Sequence, residues 1–141
     1  MKKLVFGLLM LASTSVLADQ TPAQEISARS GLPASEVSAL LADCDSTQTS
    51  MNFCAWRDQI VAERELQEVV DKQVSEHPDR KMSIEARIAK WKKARDASCE
   101  KSARKEWGDG SMRPTAQAIC ATAVTKKMTK KLSAPGARAP T

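Results

Sequence analysis

Residues 47–75 read TQTSMNFCAWRDQIVAERELQEVVDKQVS, a run with neither glycine nor proline. Met51, Cys54/Ala55, Val61/Ala62, Leu66, Val69/Val70 and Val74 recur at intervals of three and four. That is the spacing of one face of an α-helix, and the alternation of a half-buried strand is absent. Ser46 or Thr47 supplies the side-chain oxygen that caps the first free N–H groups. Asp58 interrupts the apolar stripe, so it marks either an exposed position or a polar contact near the cysteine.

The pattern continues outward. From Ala34 to Trp107 there is no glycine, and Pro78 is the single proline. Glu76-His77-Pro78-Asp79 reads as a turn, because proline disfavours helical geometry in the residue before it. A second helix is predicted from Ser83 to Trp107, buried along Ile84, Ile88, Trp91, Ala94, Cys99 and Ala103 and ended by Gly108-Asp-Gly110. A third begins at Pro114, a favoured first-turn residue. It carries Ile119/Cys120, Ala123/Val124, Met128 and Leu132 as far as Ser133. Short connections predict a small antiparallel three-helix bundle, all-α, over residues 44–133. Residues 19–43 read as a flexible leader, with room for a short extra helix after Ser35 carrying Val37, Leu40 and Leu41. Residues 134–141, rich in proline, glycine and alanine, read as a disordered tail.

At the other end, Lys2 and Lys3 precede the apolar run Leu4 to Leu11 and the small-residue stretch ending Val16-Leu17-Ala18. This is the form of a secretory signal peptide over residues 1–18. The apolar run is too short for the ~20 residues that span a bilayer, so no transmembrane segment is expected. Cleavage after Ala18 leaves 123 of the 141 residues, with all four cysteines, in the periplasm or outside the cell. In an oxidising compartment Cys44, Cys54, Cys99 and Cys120 read as two disulfides. With no C-x-x-C pair and a single histidine, His77, a metal site is not expected, and no cofactor is implied.

At 1.5 Å per residue, Cys54, Cys99 and Cys120 fall at one level of the bundle, each about 9–12 Å from a helix end. That end is opposite the Pro78 turn, and Cys44 can reach it. If residues 44–54 were helical, the Cys44 and Cys54 Cα atoms would lie beyond the ~7 Å that a bridge allows. The expectation is therefore two cross-element bridges, in either of the two remaining pairings.

Trp91, Arg95 and Cys99 lie four residues apart on one helix face, with Asp96 beside them. Arg95 has two readings. It presents a planar fork to a partner's carboxylate, with Trp91 as a flat surface, or it packs over Trp91 and a disulfide against Asp58 or Glu63. The acids Glu63, Glu65, Glu68 and Asp71 alternate with Arg64 and Lys72, and no aromatic or glycine-lined pocket accompanies them. General acid catalysis needs a buried carboxylate, and none is announced. No enzyme is expected.

Charge is divided along the chain. Residues 19–75 hold ten acids and four bases, a net of −6; residues 76–141 hold seven acids and sixteen bases, a net of +9. One account is mutual neutralisation of packed helices. The other is two working faces. An acidic face with Asp45, Asp58, Glu63, Glu65 and Glu68 suits a basic protein. A basic face with Lys92, Lys93, Arg104, Lys105, Lys127 and Lys131 suits an anionic envelope polymer. Nucleic acid is not expected, since exposed aromatics do not interleave the lysines.

Taken in order, Cys44-Asp-Ser-Thr-Gln48, Met51-Asn-Phe-Cys54, Ala62-Glu-Arg-Glu-Leu66-Gln67, Trp91-Lys-Lys-Ala-Arg95-Asp96-Ala-Ser-Cys99, Gly108-Asp-Gly-Ser111, and Cys120 with Thr125 and Leu132 behind it, resemble the LprI-type lysozyme-inhibitor family of small exported four-cysteine helical proteins. The resemblance runs from Cys44 to Leu132. Glu63, Gln67 and Val70 stand where the family often has Asp, Asn and Tyr. Ile88 and Met128 replace a common Gln and Arg. The resemblance implies a non-enzymatic protein-binding domain whose first candidate partner is a lysozyme-type muramidase, with another envelope protein as the alternative.

Overall fold

The computed structural model describes residues 20–137. The expected signal peptide and the end of the expected tail lie outside the described residues. Five α-helices follow one another: α1 (Pro22–Ser30), α2 (Ala34–Ala42), α3 (Gln48–Glu76), α4 (Lys81–Trp107) and α5 (Arg113–Ser133). A 3₁₀ turn at Pro78–Arg80 joins α3 to α4. Among the described residues there is no strand, so the all-α expectation holds, but the architecture exceeds three helices.

The three long helices form up-down-up. Thr47 caps α3 by accepting the Ser50 N–H at 3.0 Å. Gly108, at φ 56°, ends α4 in backbone geometry that glycine adopts without Cβ strain. α4 begins at Lys81, ahead of the expected Ser83, because the Pro78 turn feeds directly into it. α5 runs parallel to α3: Gln48 reaches Thr115 at one end, and Gln73 reaches the Leu132 carbonyl at the other. α4 runs antiparallel and packs chiefly on α5.

At the Pro78 end, Leu66 and Val70 of α3, Ile84 and Ile88 of α4, and Met128 and Leu132 of α5 form an aliphatic core, with Trp91 half-buried against it. Towards the other end the buried apolar side chains are mainly Ala55, Ala62, Ala103, Ala118 and Ala121. Alanines let helices approach closely but remove little apolar area from water. Both cysteine bridges lie in this half, and Cys99–Cys120 supplies a covalent constraint between α4 and α5 where the buried side chains are mostly alanine.

Their connectivity corrects the expectation of two cross-element bridges. Cys99–Cys120 does join α4 to α5, but Cys44 pairs with Cys54, with a Cα separation of 5.7 Å. The premise of an intervening helix fails, since α3 begins only at Gln48. Residues 43–47 instead form a turn in which Asp43 accepts the N–H groups of Asp45 and Ser46. The four steps from Cys44 to Gln48 span up to ~14 Å when extended, enough to cover the ~9 Å that α3 descends from Gln48 to Cys54.

The flexible-leader reading is corrected over residues 22–30, which are helical, while the short helix allowed for after Ser35 is present as α2. Thr21 and Gln24 form a reciprocal capping box, Pro22 opens α1, and Gly31 at φ 76° closes it. The prolines, glycine and threonine that suggest a loose chain are helix punctuation. Ile26 of α1 and Val37 of α2 are fully buried against Ile60 of α3, with Leu32, Leu41, Phe53 and Trp56 around them. Arg64 fastens α1 by donating to the Gln20 carbonyl and the Glu25 carboxylate, both at 2.6 Å. Ile60 thus serves a second core on a different side of α3, about 120° around the helix axis from Leu66.

Candidate functional site

Arg95 sits midway along α4 with its side chain 2% exposed. It donates from Nη1 to Thr125 Oγ1 at 2.8 Å, from Nη2 to Glu63 Oε1 at 2.8 Å, and from Nε and Nη2 to Asp96 Oδ1 at 2.9 and 2.7 Å. Its guanidinium carbon lies 5.5 Å from the Trp91 ring centroid. A buried charge needs pairing and hydrogen bonds on all sides. Here α3, α4 and α5 each provide an acceptor. The fork is turned inward, which is the second of its two possible geometries. Glu63 is its partner on α3; Asp58 pairs instead with Arg57 at 2.9 Å.

The remaining charge faces outward. Among the described residues Glu63–Arg95 is the single ion pair between α3 and the two basic helices. Direct ion pairing between the packed helices therefore accounts for little of the split of −6 against +9. On α3, Asp58, Val61, Glu65 and Glu68 follow one another at helical spacing and are exposed. Val61, expected in the apolar stripe, is 38% exposed between these carboxylates, while its neighbour Ala62 is buried. Cys54 lies one turn before Asp58, so the bridge to Cys44 brings the exposed Asp45 turn beside the head of this row. Glu63, spent on Arg95, does not belong to it.

On α4, Lys93, Arg104 and Lys105 are exposed, as are Lys127 and Lys131 on α5, while Lys92 is half-buried. Arg104 pairs with Glu100 on its own helix. Lys90, Lys93, Lys101 and Lys105 make no ion pair among the described residues, so α4 carries an uncompensated cationic ridge interrupted by small alanines.

A groove of about 350 Å³ lies between α3 and α5, with Asp96 of α4 on its edge. Phe53 and Trp56 form one wall, their rings edge-to-face with centroids 6.0 Å apart. Asn52, Gln59 and Gln117 add carboxamides, and Ala118 and Ala121 keep the floor open. The Asn52 Oδ1 accepts from Gln48 at 3.0 Å and from the Thr115 hydroxyl.

A family model described as lysozyme inhibitor LprI matches residues 42–132. The chain belongs to the LprI family. No curated protein and no solved structure matches it. The match takes in both disulfides, the Arg95 cluster and all three long helices of this LprI chain, while α1 and nearly all of α2 precede it. No described helix is long and apolar enough to cross a membrane.

Sequence reasoning passes over Ile60 and meets Thr125 only as part of the family resemblance, with no role attached. Thr125 is fully buried as the α5 acceptor for Arg95. Its spacing from Ala121 and Met128 is the available signal, since four and three residues put it on their face. Ile60 falls outside the α3 stripe and gains meaning only once α1 and α2 are known to fold back.

Proposed function

We propose that this LprI-family protein is an exported, non-enzymatic inhibitor that binds a lysozyme-type muramidase through the acidic face of α3. The observation that carries this reading is the row Asp58, Val61, Glu65 and Glu68, exposed and making no ion pair with the basic helices. Carboxylates around a small apolar contact suit the rim of a basic protein's cleft, where complementary charge speeds encounter and fixes orientation. Asp45, on the bridged turn, extends the same charge. Family membership supplies the partner class. Two disulfides and the charged-then-apolar start of the chain support export.

A muramidase assay with the oxidised protein is the test, run on more than one lysozyme class. Inhibition at near-stoichiometric ratio, weakened by Glu65→Lys with Glu68→Lys, is expected. No inhibition at large molar excess across the panel sinks the reading.

A second reading has its own observation in the unpaired lysines of α4. Lys90, Lys93, Lys101 and Lys105 suit a multiply charged envelope polymer such as lipopolysaccharide. Salt-sensitive binding that disappears on reversal of Lys93 and Lys101 supports it; salt-independent binding, or none, removes it.

A further inference from the structure

The groove between α3 and α5 takes no part in the acidic row. Trp56 and Asp58 are two residues apart on one helix, about 200° around its axis. A ligand in the groove therefore leaves the side chains of the row exposed.

We propose that this groove binds an uncharged N-acetylated saccharide. Its volume of about 350 Å³ falls within the ~300–1,000 Å³ usual for small-ligand sites. A sugar ring offers a face of C–H groups and a rim of hydroxyls, and the groove offers a counterpart to each. Trp56 and Phe53 provide aromatic surface, whose electron-rich faces attract weakly positive C–H groups. Among the described residues the Asn52 amide NH₂, the Gln59 Oε1, the Asp96 Oδ2 and both ends of the Gln117 amide have no protein hydrogen-bond partner. Together these are donors and acceptors of the kind that hydroxyl and acetamido groups require.

The charge balance narrows the ligand further. No lysine or arginine lines the groove, which disfavours an anion. Asp96 is the one charged lining residue, and its other oxygen already takes two N–H groups from Arg95, which makes it a poor anchor for a cation. Ala118 and Ala121 line the groove with methyl side chains near Gln117, a small apolar surface that suits the acetyl methyl of an N-acetylated sugar.

The walls are held before any ligand arrives. Asn52 is fixed by Gln48 and Thr115, Gln59 donates to Glu63 at 3.1 Å, and Glu63 and Asp96 are both held by Arg95. Trp56 and Phe53 are backed by the α1–α2 core. Such pre-ordering reduces the conformational entropy lost on binding. It also gives the buried guanidinium a consequence at the surface: it positions two of the polar walls.

The test is titration of the oxidised, ¹⁵N-labelled protein with a β-1,4-linked N-acetylglucosamine trimer. Saturable shifts of the Trp56 indole and the Asn52 and Gln117 side-chain amides are expected. Gln117→Ala removes an unbonded amide and leaves the fold intact; it should weaken binding roughly tenfold, about 1.4 kcal/mol. Trp56→Ala, checked for native near-ultraviolet circular dichroism, should weaken it further. A glucose trimer without acetamido groups should bind several-fold more weakly. The proposal is overturned by no saturable shift at millimolar sugar, by shifts confined elsewhere, by full affinity in Gln117→Ala, or by equal affinity for the glucose trimer.

Discussion

Arg95 of α4 and Glu63 of α3 meet at 2.8 Å inside the bundle, and Thr125 of α5 completes the contact at the same distance. Three helices thus converge on one guanidinium. Arg95→Ala removes a hub whose loss strands Thr125 and part of Glu63, at a cost of about 3–5 kcal/mol. Glu63→Gln keeps an acceptor but not the charge, so its cost should be nearer 1.5–3 kcal/mol. Urea denaturation of both variants gives the comparison. Equal and negligible losses would mean that the cluster is not a stabilising hub.

The two bridges close loops of different length, with sequence separations of 10 and 21. Chain-entropy arguments assign each about 3 kcal/mol, slightly more to the longer. Replacing Cys99 and Cys120 together by serine should lower overall stability by about that amount. Replacing Cys44 and Cys54 should also raise hydrogen exchange in α2 and the turn after it. Non-reducing peptide mapping should recover Cys44 with Cys54 and Cys99 with Cys120; any other pairing contradicts the structure.

Glu65 and Glu68 are exposed and make no ion pair among the described residues, so reversing both should change stability by no more than about 0.5 kcal/mol at each site. Their effect should fall on association with a basic muramidase. We expect a slower on-rate, with the difference from wild type shrinking as salt rises. Stopped-flow or surface-binding kinetics at two ionic strengths reads this directly. An unchanged on-rate places the contact elsewhere.

Ile26 is fully buried in the second core. Ile26→Ala should cost about 2–5 kcal/mol, and Thr21→Ala, by removing the cap, about 1 kcal/mol. In both variants hydrogen exchange should rise in α1 and α2 before it rises around Leu66. Uniform loosening of the whole chain would show that the two cores do not open separately.

The long helices are legible because residues 47–75, 83–107 and 114–133 carry apolar periodicity with no interior breaker. The N-terminal hairpin is legible only in part. α2 is the short helix expected after Ser35 with Val37, Leu40 and Leu41. The nine residues of α1 are too few for periodicity to stand out, and the pair is stabilised by contact with Ile60. The cysteine pairing turns on four residues of turn geometry, which composition does not reveal. Arg95 can be narrowed to two candidate partners, Asp58 and Glu63, but choosing between them needs the rotation of α3. The groove is invisible in sequence, since Asn52, Trp56 and Gln117 converge only through the α3–α5 packing.

The second core has a practical bearing on where this protein can be cut. The region matched to the family starts at residue 42, while the packed chain already includes Ile26 and Val37. A fragment trimmed to that boundary would bare Ile60 and the inner sides of Phe53 and Trp56, and would leave Cys54 without the helix that shelters it. Such a piece invites self-association through a sticky flank that the intact molecule never shows.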